Sequence, residues 1–309
     1  MKALAFVLCG LLLSVAAARA ITIQFDYSLD TGGFFTSNPT AKTDLEAAAQ
    51  FFDAHLTDTL TAISPGGGNS WTADFFNPST GSSMSIANLS ISQNEILVYV
   101  GGENLGSGVL GEGGPGVGSP TSGSQSFFDT VQARGQSGAL SSTPTDFGPW
   151  GGSVSFGTSV NWYFDSNPST TEAFSSSQAD FYSVALHELG HVLGIGTADS
   201  WFTDVSGTNF IGSASEAAFG APVPLDSGGA HWADGTMSTI YGTSTSQEAA
   251  MSPALTDGTR KVFTTLDMAG LKDVGWTLAA VPEPPAVWLT AMGLFVWGTM
   301  RHCARRIRR

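Results

Sequence analysis

Five consecutive residues, His187-Glu188-Leu189-Gly190-His191, carry the types and spacing that chemistry needs. On a helix, positions four apart share a face, so His187 and His191 can offer two imidazole nitrogens to one metal ion. Zinc suits such nitrogen ligands. Glu188, beside the first histidine, can lean towards a metal-held water and accept its proton. The reaction implied is attack on a polarised carbonyl, usually a peptide bond. A bare pattern of this kind also arises by chance, and the bland reading is a surface helix with two solvated histidines. The preceding Phe181, Val184 and Ala185 favour the metal reading by giving that helix an apolar face.

The motif continues as Val192-Leu193-Gly194-Ile195-Gly196, and glycine at 194 lets the helix stop sharply and the chain turn. His187-Glu188-x-x-His191-x-x-Gly194 resembles the metzincin metalloproteases. Most of that clan place a third ligand, His or Asp, three residues after this glycine. Thr197 stands there, and a neutral hydroxyl is a poor zinc ligand. The chain has five histidines. His302 lies in an Arg-rich tail and His55 on an early helix, as a surface or packing residue. His231, in Gly228-Gly229-Ala230-His231-Trp232, is the remaining one. Glu216, Asp199 and Asp226 are competing candidates for the third ligand. A distant third histidine followed by Trp, then a Met-containing turn, then a helix, is similar to the leishmanolysin branch of the metzincins. His231-Trp232, Ala250-Met251-Ser252-Pro253 and the stretch Leu266 to Val274 ending Gly275-Trp276 follow that order, so the likeness covers residues 181–276. It implies a zinc endopeptidase with His187, His191 and His231 as ligands and Glu188 as general base. It also implies that Met251 packs beneath the ligands without binding the metal, a contact a polarizable thioether favours. The plain alternative for Met251 is core packing. Tyr241 is a candidate donor to the transition-state oxyanion or a packing residue. No loop has the regular alternation of oxygen ligands of an EF-hand.

These residues need elements to hold them. Ile21, Ile23, Phe25 and Tyr27 alternate with mostly polar residues, a strand pattern. Ala41 to Ile63 reads as one amphipathic helix, with Leu45, Ala48, Ala49, Phe52 and Leu56 on a face that Leu60 and Ile63 continue. Trp71 to Phe76, Glu95 to Val100, Ser153 to Phe156 and Val160 to Phe164 read as strands. Residues 101–120 are Gly-rich, with little to pack, and read as a long surface loop. The motif helix is expected over Asp180 to Leu193, capped by one of Ser175 to Ser177. From Gly194 to about residue 262 the pattern is mostly loop. Thr264 and Asp267 form a capping-box pair that opens a helix to Val274, with Gly275 as its stop. The expected fold class is α+β, a mixed body with a twisted sheet, an active-site helix and a loop-rich C-terminal lobe. The metzincin likeness implies the same arrangement.

The chain has 309 residues, 42% hydrophobic, so core size is not limiting. Only 12% are charged, about half the usual share. Low charge with 38 glycines suggests a secreted, loop-rich protein. Residues 21–281 hold five basic residues (Lys42, Arg134, Arg260, Lys261 and Lys272) against 25 acidic ones. That balance repels nucleic acid. The two cysteines, Cys9 and Cys303, lie in the terminal segments, so the body has no disulfide framework and no cysteine to shield a zinc ion.

The ends read as addresses. Residues 1–20, with Lys2, an apolar run and Ala18-Arg19-Ala20, read as a signal peptide. Residues 281–309 hold Val281-Pro282-Glu283-Pro284, a short apolar stretch over 285–300 and then five arginines. The stretch is somewhat shorter than the ~20 residues that span a bilayer comfortably, and the arginines would hold its far end in the cytoplasm. This three-part order resembles the PEP-CTERM sorting signal of exported bacterial proteins. The likeness implies signal peptidase and an exosortase as partners, and an inner-membrane tether with the body in the periplasm, followed by release to the surface or matrix. The expected organisation is therefore a signal peptide (1–20), a zinc metalloprotease-like domain (21–280) and a sorting tail (281–309), acting on a peptide or protein substrate. A reading from another class is a non-catalytic matrix or surface adhesion protein built on a metalloprotease-like fold. An intact Glu188 argues against it.

Overall fold

The first alternating run forms β1 (Thr22–Asp26), followed by α1 (Phe34–Ser37) and α2 (Pro39–His55). Then come β2 (Ser70–Phe76), β3 (Ser83–Ala87), β4 (Glu95–Glu103), β5 (Gly111–Pro115) and β6 (Val117–Ser122). After these run α3 (Gln125–Ala133), β7 (Gly151–Gly157), β8 (Trp162–Tyr163) and β9 (Ala179–Asp180). The second half holds α4 (Phe181–Val192), α5 (Asp199–Thr203), α6 (Ser213–Phe219) and α7 (Thr265–Val274), with two- and three-residue strands between them. The structure, a computed structural model, describes residues 21–170 and 172–279. The signal segment and sorting tail expected at the two ends lie outside the described residues. Among the described residues no helix is long and apolar enough to cross a membrane.

The fold is α+β. Its main sheet has the order β1-β4-β7-β5, with β1, β4 and β7 parallel and β5 antiparallel on the edge. Both faces of this sheet are covered, and β4 shows how. Ile96, Val98 and Val100 join the core formed with α2 and α4, while Leu97 and Tyr99 join Trp71, Phe75 and Trp150 under a second sheet of order β3-β2-β6. A strand buried on both faces must be apolar at nearly every position. Helix α4 is buried all round except at His187. It packs on α2 and along β5 and β7, which makes it the central helix of the body.

Four local expectations are corrected. Residues 101–120 are not a surface loop. They contain the end of β4, all of β5 and most of β6, and only 104–110 between β4 and β5 is loop. Their glycines pack instead of side chains: a Cβ on Gly111 would fall 2.8 Å from Glu188 Oε1, and one on Gly113 would fall 2.6 Å from the Glu188 carbonyl oxygen. Strand β5 can lie against α4 only because these positions carry no side chain. The early helix ends at His55, not Ile63. Leu56 turns extended and bridges to Leu278, and Ile63 is buried by bridging to Ile91. Helix α4 is capped by Asp180, whose carboxylate accepts from the Ser183 N–H, not by the preceding serines. A carboxylate there also meets the positive end of the helix dipole. The strand expected at Val160 to Phe164 shrinks to β8. The capping box at the last helix is present with both of its hydrogen bonds, and Gly275 ends that helix at φ 123°.

Candidate metal centre

Helix α4 carries His187 and His191 one turn apart. The turn after it supplies the support for both the second and the third histidine. At Gly194 the chain leaves the helix, and the Ile195 carbonyl swings back to accept a hydrogen bond from His191 Nδ1 at 2.8 Å. At Gly196 the backbone passes so close to the 228–231 loop that a Cβ would sit 2.1 Å from the Ala230 carbonyl oxygen. That approach sets His231 beside α4.

The three Nε2 atoms converge. His191 Nε2 lies 3.1 Å from His187 Nε2 and 3.0 Å from His231 Nε2. Among the described residues this is the one group of three or more metal-ligating side chains with its ligand atoms within 4.8 Å of one another. Each Nδ1 faces an acceptor: the Ala250 carbonyl at 2.8 Å for His187, the Ile195 carbonyl for His191, and Asp226 Oδ2 at 3.3 Å for His231. An Nδ1–H that donates leaves Nε2 as a bare lone pair. Burial, with the neighbouring His231 and Lys261, lowers His187 to about 4 against the pull of its Ala250 hydrogen bond. Burial and then the other two histidines hold His191 well below the ordinary range. Both rings are therefore neutral near pH 7. Three lone pairs aimed at one point repel unless a cation lies between them. Four-coordinate nitrogen ligands about 2.0–2.1 Å from an ion stand about 3.3 Å apart, close to the separations seen. The three histidines fit a metal ion.

Other candidates fall outside this group. Asp226 supports His231 instead of joining it, with an oxygen on the His231 and Ala230 N–H groups and a short reach to Nδ1. Partial burial works against its charge, but the His231 donors outweigh that and hold Asp226 below the usual carboxylate value. Glu216 sits on α6 and Asp199 in the first turn of α5, neither in the cluster. Thr197 donates its hydroxyl to the His191 carbonyl. His55 packs against Phe51 and Tyr241, with Nδ1 on the Phe51 carbonyl. Tyr241 does not line the cavity described below.

Glu188 is 5% exposed and lies against β5. Burial, and then Glu112, push its carboxyl up to about 8, while a hydrogen bond from the Gly113 N–H pulls the other way. Met251 is fully buried, with its sulfur against the α4 backbone at Gly190. Beneath it lies a carboxylate legible from sequence only as a helix cap. Asp267 accepts from Thr264 N–H and hydroxyl, from Ala250 and Met251 N–H, and from Trp232 Nε1. It therefore ties together the residue after His231, the carbonyl-bearing partner of His187, and Met251.

Glu188, the three histidines and the Gly111–Gly113 segment of β5 line one cavity of about 900 Å³, together with Ala250 and residues 252–257. Strand β5 is a sheet edge, since among the described residues it pairs only with β7. The site can thus hold a metal ion beside a buried carboxylate, in a cleft walled by a strand with an open side. No protein-family model, no curated protein and no solved structure matches the chain.

Proposed function

We propose that the protein is an exported zinc-dependent endopeptidase of leishmanolysin-like metzincin type, carried by residues 21–280 and sorted by its two terminal segments. The observation that carries this reading is the convergence of three Nε2 lone pairs beside Glu188. Three imidazoles are a zinc donor set. A zinc ion held there supplies Lewis acidity, which eases ionisation of water and polarises a carbonyl. His187, His191 and His231 hold it, and Ala250, Ile195 and Asp226 keep their rings turned the right way, as supporting partners of metal-bound histidines do. Glu188 takes the proton from the attacking water and then delivers it to the leaving amine nitrogen. Its burial favours proton uptake. The open edge of β5 favours an extended peptide as substrate, because unpaired backbone groups of an edge strand accept another strand.

The test is Glu188→Gln in the full chain. Zinc content by mass spectrometry stays near that of the parent, and casein hydrolysis falls about 10²- to 10⁴-fold. Hydrolysis that persists in this variant, with contaminating proteases excluded, removes Glu188 from the reaction.

A further inference from the structure

Exposed large apolar side chains are unexceptional one by one. Their placement in this chain is uneven. Of those among the described residues, Leu140, Phe202, Ile211 and Phe219, between 37% and 46% exposed, belong to segments gathered around the end of α7. Asp273 accepts from the Ala214 and Ser215 N–H groups, which joins the last turn of α7 to the start of α6, with Ile211 just before that helix and Phe219 at its other end. The Val274 carbonyl accepts from the Ser200 hydroxyl on α5, the helix that carries Phe202. Gly275 packs against Thr145 and Asp146, and Asp146 accepts from the Gly138 N–H in the turn Ser137–Leu140. The remaining exposed large apolar residues, Phe76, Val117 and Met237, lie on β2, β6 and the strand Met237–Thr239, outside these segments.

The chain also leaves the body here. After Gly275 it runs beside the end of α2: Trp276 donates to the Leu193 carbonyl, Thr277 bonds to Thr57 and Asp58, and Leu278 bridges to Leu56. The turn Ser137–Leu140 is held to the same place, because Gln136 just before it donates to the Thr59 carbonyl. Six residues, 279–284, stand between Leu278 and the apolar stretch over 285–300. Fully extended, six residues reach about 22 Å at most. Insertion of that stretch in a bilayer therefore keeps Leu278 within that reach of the lipid, with the segments around it close behind. The charge of these segments is one-sided. Burial, then Asp273 and Glu216, push the Asp204 carboxyl up, so three acids share this face. Its one basic side chain is Lys272. Such a surface suits uncharged headgroups and is repelled by anionic ones.

We propose that the face built from Leu140, Phe202, Ile211 and Phe219 rests on an uncharged lipid surface while the chain is membrane-borne. The proposal rests on reading residues 281–309 as a membrane tail and does not depend on the peptidase chemistry. Apolar side chains seated in the headgroup layer gain by the area they remove from water. A short tether holds the face at an effective concentration of about millimolar, so contacts too weak to bind a free body suffice.

The body holds no cysteine, so single reporters can be placed in the full chain once Cys9→Ser and Cys303→Ser are made. Phe202→Cys, Ile211→Cys, Phe76→Cys and Met237→Cys, each carrying an environment-sensitive fluorophore, are reconstituted with phosphatidylcholine vesicles whose headgroups bear a nitroxide quencher. Flotation reports whether the chain is on the vesicles. Reporters at Phe202 and Ile211 are expected to lose most of their emission, and those at Phe76 and Met237 to keep nearly all of it. Phe202→Asn and Ile211→Asn together, both at exposed positions, free a reporter at Leu140→Cys from quenching while the chain still floats. Phosphatidylglycerol in the vesicles weakens the quenching at low salt. Equal quenching at the two pairs of positions, quenching at none, a Leu140 signal indifferent to the two Asn substitutions, or quenching that rises with phosphatidylglycerol overturns the proposal. Failure to float overturns it and the membrane-tail reading together, whereas flotation without selective quenching removes the resting face alone.

Discussion

Helix α4 carries buried polar groups at both ends, and the two ends solve the problem differently. At its start, Asp180 caps the helix and takes two hydrogen bonds from Arg260, whose guanidinium also pairs with Asp165 at 2.9 Å. Asp44 joins through the Asp165 N–H. One cation from the chain itself compensates this cluster. Towards its end, three Nε2 atoms point together and the described residues supply no hydrogen-bond donor to them other than one another. The first arrangement finds its counter-charge within the fold, and of its carboxylate oxygens Asp44 Oδ1 alone is left without a hydrogen-bond or ion-pair partner among the described residues. The second has no such counterpart among the described residues and fits an outside ion, and that contrast separates a self-contained cluster from a candidate metal site more firmly than burial does, since both are buried.

The largest effect is expected where the self-contained end is opened. Arg260→Leu strands Asp165 and Asp180 without their counter-charge and costs about 3–5 kcal/mol, read by urea unfolding with or without zinc. A loss below about 1 kcal/mol would dissolve the contrast. The other end should respond to metal instead. Zinc at a hundredfold excess over its dissociation constant stabilises the parent by about 2.7 kcal/mol. His55→Ala keeps that gain and His231→Ala loses most of it. Equal gains in the two variants take His231 out of the centre.

The smallest effect sharpens the comparison at Asp44. Burial raises its carboxyl from 3.8 to about 7. The Asp165 N–H lowers it, Asp180 and Asp165 raise it, and Arg260 lowers it again. Tyr182, whose own hydroxyl is pushed up by burial, also faces the group. The folded state thus holds this proton more tightly than the unfolded chain. The stabilisation is complete below about pH 4 and fades as pH rises towards 7. Asp44→Asn keeps an acceptor for the Asp165 N–H and carries no charge. It should gain on the parent between pH 4 and 7, by on the order of 1–2 kcal/mol, in thermal unfolding. A difference that stays flat with pH would show that Asp44 is ionised throughout.

What could be read in advance follows from where the information lies. The two α4 histidines, Glu188, the Thr264–Asp267 cap and the Gly275 stop are local patterns, and a helix displays them at fixed offsets. Strands β1, β2 and β4 announce themselves through apolar side chains. Strand β5 does not, because what lets it pack is the absence of side chains, and glycine runs carry no period. The partners that orient the site are long-range. Asp226 near His231 reads from the sequence as a possible ligand, but its supporting place depends on a loop whose position Gly196 permits. The five hydrogen bonds on Asp267 join residues 232, 250, 251 and 264, which nothing in local spacing connects.

That shared carboxylate has a bearing on how the centre is made. Two imidazoles on an isolated α4 are only part of a binding site. The third arrives forty positions later, on a segment moored by Asp267 near the far end of the body. Under the proposed reading, ion capture waits for the C-terminal half to close. Acquisition of zinc is then tied to completion of the fold, because the third imidazole is in place only when that segment has docked.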